Sequence, residues 1–199
     1  MTNTTSSLIA ATDGIEHLLE RSLLSQVALN PRKAILTERV AERAMAIAGE
    51  LGLPKVNKIR LELAALLHRV GEAHLPEDLR DKAYIEMTTA EMKVYGRYPL
   101  MSALHVNEQH PEIMDIVLKH REYVTGAGFP DRCQGEELPL EARILCVATE
   151  YEELMMYYGD SADNEIVIQR RMLKNVSGRY DQQVVDALMA SLVREAVAH

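Results

Sequence analysis

The residues best equipped for chemistry are two histidines, each followed directly by an arginine. His68-Arg69 closes the apolar run Ala64-Ala65-Leu66-Leu67, and His120-Arg121-Glu122 follows the stripe Ile113, Ile116, Val117. Imidazole nitrogen and carboxylate oxygen are ordinary donors to a divalent metal, so His68, His120 and Glu122 are the smallest set that would hold one. Arginine brings the opposite chemistry. Its fixed positive charge and forked donors suit carboxylate or phosphate oxygens, which makes Arg69 and Arg121 a candidate anion-binding pair.

These residues must be positioned by helices. The spacing Ile15, Leu18, Leu19, Leu23, Val27 predicts a first amphipathic helix after a polar start at residues 1–7. Asn30-Pro31 then supplies a cap and a first-turn proline, followed by the stripe Leu36, Val40, Ala44, Ile47, Leu51, closed by Gly52 and Pro54. Ile59, Leu63, Leu66, Leu67 and Val70 form the next stripe, with Gly71 as its expected C′ residue. Thr88 and Glu91 carry a capping-box signature, Pro99 should break the helix that follows, and Pro111 starts another.

Residues 122–139 contain three glycines and two prolines and show no period, which predicts a long functional or disordered loop. Helix returns at Leu140, with Ile144, Val147, Ala148, Tyr151, Leu154, Met155 and Tyr158 on one side. Two more helices follow, one carrying Ile168, Met172 and Val176. The other is capped by Asp181 and carries Val184, Val185, Leu188, Leu192 and Val193. No strand alternation, repeat or low-complexity tract stands out. The expectation is an all-α single domain, a helical bundle of about seven to nine helices. Residues 1–30 form its polar start and first helix, and residues 31–199 form the bundle.

Bulk properties narrow the function. A chain of 199 residues can bury a real core, and 47% hydrophobic with 26% charged residues is ordinary for a globular protein. A net charge of −8 argues against general binding to nucleic acid or to an anionic membrane. With no Trp and one Phe, a base-stacking surface is not favoured. Cys133 and Cys146 form no CxxC, and neither a signal peptide nor an apolar stretch of ~18 residues is present. A cytoplasmic location is the expectation.

Several stretches together resemble the HD-GYP family, a helical branch of the HD superfamily. The segment ALLHRVGEAHLPEDLRDK is similar to the family's HD-I-G-K, I-P and lysine pattern, and HREYVTGAGFPDRCQGEELPLEARILCVATEYEEL to its HHE, GYP and final metal-aspartate stretch. The likeness runs from about Leu36 to Leu192. It implies an HD-domain fold and cyclic di-GMP hydrolysis at a two- or three-metal centre.

Taken residue by residue, the family's ligand positions hold other chemistry here. The first histidine falls on Leu36, the HD pair on His68-Arg69, and the lysine that follows on Glu72. Tyr98 stands for the histidine of His-Pro, with Pro99 kept, and the HHE triplet reads His120-Arg121-Glu122. The aspartate ahead of GYP is Thr125, GYP itself is Gly128-Phe129-Pro130, and the closing metal aspartate falls on Thr149. The changes share a direction, because donors are lost and positive charge is gained. An arginine ~4 Å from a divalent ion is repelled by roughly 8 kcal/mol at an effective dielectric near 20.

The expectation is therefore a vestigial site formed by His68, Arg69, Glu72, Tyr98, His120, Arg121, Glu122 and Thr149, with no catalytic residue and no metal. Under this reading, His68 and His120 are core histidines held by local hydrogen bonds. Arg69 and Arg121 read in two ways: as ion-pair partners of Glu72 and Glu122, or as an anion pocket that would let the domain bind a nucleotide without cutting it. In HD-GYP relatives the loop Gly126-Ala127-Gly128-Phe129-Pro130 borders the active site and is associated with contacts to GGDEF-type cyclase domains. Its residues Gly126, Gly128, Phe129 and Pro130 thus form a candidate interaction loop, to be set against a simple backbone requirement for glycine and proline. The run 155–158 is expected to pack partly in the core, and part of it to face a second copy of the chain in a homodimer. The function expected is bacterial signalling through protein contacts or nucleotide sensing. The alternative is an active phosphohydrolase using Mn or Fe at a reduced site of His68, His120 and Glu122.

Overall fold

A computed structural model describes residues 30–106, 110–176 and 178–198. The helix expected over 15–27 lies outside the described residues. Within them every regular element is helical: α1 Pro31–Glu50, α2 Lys55–Leu67, α3 Glu77–Arg80, α4 Thr89–Tyr95, α5 Tyr98–His105, α6 Pro111–Lys119, α7 Leu140–Tyr158, α8 Ala162–Lys174 and α9 Gln182–Ala198. Short 3-10 turns occupy Val70–His74, Tyr84–Glu86 and Gly135–Glu137. The all-α expectation holds.

Local chemistry starts and stops these helices where the sequence signals it. The Asn30 side chain accepts from Arg32 N at 2.9 Å, and Pro31 sits at the first helical position of α1. Gly52 ends α1 in the left-handed region at φ +65°. Thr88 and Glu91 exchange both capping-box bonds. Asp181 accepts from Gln183 N at 2.8 Å at the head of α9. α4 stops at Tyr95 and α5 restarts at Tyr98 with Pro99 in its first turn, as Pro99 requires.

α1 lies at the centre of the bundle and packs on α2, α7 and α9. Leu36, Val40, Ala44 and Ile47 of α1 meet Leu145, Ala148 and Tyr151 of α7 in one buried core. Three stripes differ from expectation, that of α7 only at its last residue, Tyr158, which is 44% exposed. In α2 the buried face is Leu61, Ala64, Ala65 and Leu67, while Ile59 is 47% exposed. In α9, Val193 is 65% exposed beside buried Leu188 and Leu192. Ile59 and Val193 lie near the edge of an apolar arc, where periodicity alone cannot decide which side the neighbouring helix takes.

The segment 122–139 also differs from expectation, because it is a closed loop with its own structure. A bridge joins Thr125 to Gln134, and a 3-10 turn follows at Gly135–Glu137. Gly71 is the other correction. α2 ends at Leu67, His68 caps it, and Gly71 lies within the next 3-10 turn rather than at a left-handed C′ position. Its role is close approach: a Cβ there would lie 2.4 Å from both Ser102 N and Tyr98 O. In the space left open, Gly71 N donates to Ser102 Oγ at 2.9 Å.

Gly71→Ala must push the 70–74 turn away from α5. We expect a loss of about 1–3 kcal/mol, in the range of other overpacked sites. Denaturant unfolding checks this, and an unchanged midpoint would show that the contact is dispensable.

Candidate functional site

α2, α6 and α7 bring the sequence-predicted residues together. His68 caps α2 and His120 caps α6, and their rings meet edge to face with centroids 5.0 Å apart. Both are fully buried. His68 Nδ1 donates to Ala65 O at 2.6 Å, and His120 Nδ1 donates to Val117 O at 2.6 Å. That arrangement leaves each Nε2 as an acceptor. His120 Nε2 accepts from the Tyr98 hydroxyl at 2.7 Å, whereas His68 Nε2 has no partner. Burial pushes both imidazoles far below their usual range. His120 comes down to about 3, with the Arg121 charge adding to burial, and for His68 the adjoining His120 and Arg69 add to it.

Beside the histidines lies a buried chain of charges. Arg69 Nη1 donates to Glu153 Oε1 at 2.7 Å, and Arg69 Nη2 reaches Glu72 Oε1. Arg121 Nη2 donates to the same Glu153 Oε1 at 3.2 Å and lies 3.0 Å from Oε2. Glu72 is also bound by Lys33 Nζ at 3.2 Å and by the Tyr95 hydroxyl at 3.2 Å. Burial raises the Glu153 carboxyl, but Arg121 and Arg69 outweigh it and hold the group down to about 2.

Arg121 is further enclosed by aromatic rings. Its guanidinium carbon lies 4.6 Å from the Tyr84 ring centroid and 5.9 Å from those of Tyr95 and Phe129. Phe129 is brought there by Gly128. A Cβ on Gly128 would sit 2.4 Å from Glu122 Cα, so only glycine lets the loop fold onto residues 121–123, where Phe129 N donates to Arg121 O at 3.1 Å.

One expected pairing is corrected, while Arg69 does pair with Glu72. Arg121 pairs with Glu153 and not with Glu122. The Glu122 carboxylate turns the other way and accepts from Asp131 N at 2.6 Å and Arg132 N at 2.8 Å, which fastens the loop. Thr149 does lie in the buried centre, and its hydroxyl has no partner there. Leu36, where the resemblance sets the first histidine, is core. Thr125 is exposed, and its hydroxyl donates to Gly178 O at 2.8 Å.

Sequence reasoning missed Glu153, Glu150, Tyr84 and Tyr95. Glu153 was discoverable, since it lies one helical turn beyond Thr149 and faces the same side. Glu150 receives hydroxyl bonds from both Tyr123 and Tyr180. These tyrosines come from distant segments and left no local signal.

The donor set does not fit a metal cluster. His120 Nε2 is engaged, Glu122 Oε1 is committed to backbone amides, and two guanidinium groups stand beside the histidines. Among the described residues no group of three or more His, Cys, Asp or Glu could hold an ion.

Next to the charge chain opens a cavity of about 330 Å³. Arg69, Glu153, Tyr84 and Tyr95 form its inner wall. Exposed Arg32, Asp81, Tyr157 and Arg171 form its mouth.

Glu153 is the only carboxylate bound to Arg121 among the described residues. Glu153→Ala should therefore cost about 3–5 kcal/mol by leaving buried guanidinium charge uncompensated. Chemical denaturation measures it, and a loss under about 1 kcal/mol would refute the role given to this bridge. The histidines set an acid response. An unfolded histidine takes up a proton below its usual value of 6.5, while folded His120 resists until about 3. Stability is therefore full above pH 6.5 and falls as pH drops toward 3, by about 1.4 kcal/mol per pH unit for such a group. His120→Asn should flatten that slope, which pH-dependent unfolding would show.

Comparison with known proteins agrees with this architecture. A family model described as HD domain matches residues 20–184. The chain is 29% identical over 198 residues to the cyclic di-GMP phosphodiesterase response regulator RpfG of Xanthomonas campestris pv. campestris (strain 8004), covering 92% of this chain and 50% of that protein. It is 26% identical over 185 residues to the 3'3'-cGAMP-specific phosphodiesterase 1 of Vibrio cholerae serotype O1, covering 88% and 42%. The chain thus spans half or less of the length of these relatives. Among solved structures, Bd1817, a HDG"Y"P protein from Bdellovibrio bacteriovorus, superimposes with a TM-score of 0.67 at 20% identity, covering 79% of this chain and 51% of that one. Paired end-of-helix histidines in an all-helical bundle, and a family match over most of its length, place this chain in the HD-domain family.

Proposed function

We propose that this HD-domain chain does not hydrolyse cyclic di-GMP and acts in bacterial signalling by binding, through protein contacts or by sensing a nucleotide. The observation that supports this most is the Arg69–Glu153–Arg121 bridge. It sets two fixed positive charges beside His68 and His120, where a divalent ion would be repelled and no water would be activated.

The anion chemistry first expected of Arg69 and Arg121 is redirected by their carboxylate partners. Arg121 is sealed inside, while Arg69 still faces the cavity. A nucleotide would therefore enter from the α1 side rather than between the histidines. Protein contacts would use the outer surface. The loop residues Gly126 and Pro130 border it, and Tyr157 and Tyr158 are each 44% exposed, as a contact with a GGDEF-type partner or a second copy would need. Among the described residues no helix is long and apolar enough to cross a membrane.

One observation favours the second reading, an active Mn or Fe phosphohydrolase at His68, His120 and Glu122. His68 Nε2 and Glu122 Oε2 are buried acceptors without partners. Elemental analysis of the purified protein, with a phosphodiesterase assay in added Mn or Fe, separates the two. We expect metal well below one equivalent and no turnover of cyclic di-GMP. Stoichiometric metal with turnover would replace the first reading by the second.

A further inference from the structure

The cavity beside the charge chain is unusual in composition for so acidic a protein. Its wall carries six lysines and arginines against three acidic residues, whereas the whole chain carries a net charge of −8. Four of the six are neutralised: Arg69 by Glu72 and Glu153, Lys33 by Glu72, Lys82 by Glu91 and Arg179 by Glu150. Among the described residues, Arg32 and Arg171 at the mouth have no carboxylate partner.

Arg32 and Lys33 also stand where helix electrostatics disfavours them. They occupy the first turn of the 20-residue α1, which has no acidic residue there. The N-terminal end of a helix carries partial positive charge, and a cation placed on it typically costs about 0.3–1 kcal/mol. An anion in the cavity would face the helix dipole with Arg32 and Arg171, against one carboxylate at the mouth, Asp81, and would reverse that cost. Arg69 also lines the cavity, almost fully buried, with its terminal nitrogens held by Glu72 and Glu153.

The cavity also carries aromatic rings. Although aromatics are few in the chain, Tyr84, Tyr95 and Tyr157 all line this one space, which gives a planar ring a surface on which to stack. The size limits the occupant, since about 330 Å³ lies near the lower end of the ~300–1,000 Å³ typical of small-molecule sites. Resting on the non-hydrolytic binding role given above, we propose that this cavity binds a nucleoside monophosphate, with its phosphate at Arg32 and Arg171 and its base against Tyr84 and Tyr157.

Calorimetric titration of the whole chain with adenosine and guanosine 5′-monophosphate, guanosine, inorganic phosphate and cyclic di-GMP tests this. One monophosphate should bind at one equivalent, at least ten-fold tighter than guanosine or phosphate alone, and should weaken as salt is raised. Arg32→Ala and Arg171→Ala alter exposed side chains and should keep the helical circular dichroism signal while each weakens binding at least ten-fold. Absence of monophosphate binding at millimolar concentration, or unchanged affinity in the Arg32→Ala/Arg171→Ala double variant, overturns the proposal. Tight binding of cyclic di-GMP alone, without turnover, overturns it as well while leaving the non-hydrolytic role intact. Turnover of cyclic di-GMP with bound metal defeats the earlier reading, whatever the monophosphates do.

Discussion

Glu153 between Arg69 and Arg121 is the interaction on which the centre of this molecule depends. Two guanidinium groups removed from water would be very costly alone, and one carboxylate bridging both makes their burial tolerable. The surroundings follow from that need. Glu72 accepts from the far side of Arg69, Lys33 balances Glu72, and the faces of Tyr84, Tyr95 and Phe129 enclose the part of Arg121 that no carboxylate reaches. The chain of charges joins α1, the turn after α2, the end of α6 and α7, so it ties together the same elements that present the paired histidines.

The scaffold around this centre is that of an HD domain, and it is maintained by features indifferent to what the centre holds. Gly71 lets the 70–74 turn touch α5, and Gly128 lets the loop fold back on residues 121–123. The two histidines hydrogen-bond to carbonyls of their own helices, a contact that needs no metal. This separation lets one fold accommodate different side chains at its centre. Backbone approach distances decide the architecture, while a handful of side chains decide the chemistry. Gly128 and Phe129 thus have a packing role that stands beside any contact role for the loop.

The cavity gives the positive charge an outlet. Inside, each cation is matched by a carboxylate. Toward the mouth the pairing stops, and Arg32 in the first turn of α1 and Arg171 stand unpaired beside the one carboxylate there, Asp81. Charge balance therefore changes along one continuous wall, from a neutral interior suited to stability to an unbalanced rim suited to recognition.

Much of this was legible in the amino-acid order alone. Caps at Asn30, Thr88 and Asp181, the breaks at Gly52 and Pro99, and the apolar stripes of α1 and α7 are local signals, because a cap or a stripe is set by residues within a turn or two of each other. The spacing of His68-Arg69 and His120-Arg121-Glu122 likewise marked the centre. Tertiary structure decided the partnerships. Arg121 chose Glu153 over its neighbour Glu122 because loop amides at Asp131 and Arg132 had already claimed that carboxylate. Gly71 proved to serve packing rather than a helix end, and tyrosines scattered over the sequence converged on one arginine and one cavity. Such choices depend on which helices meet and how closely, and that is a property of the packed chain that no single segment carries.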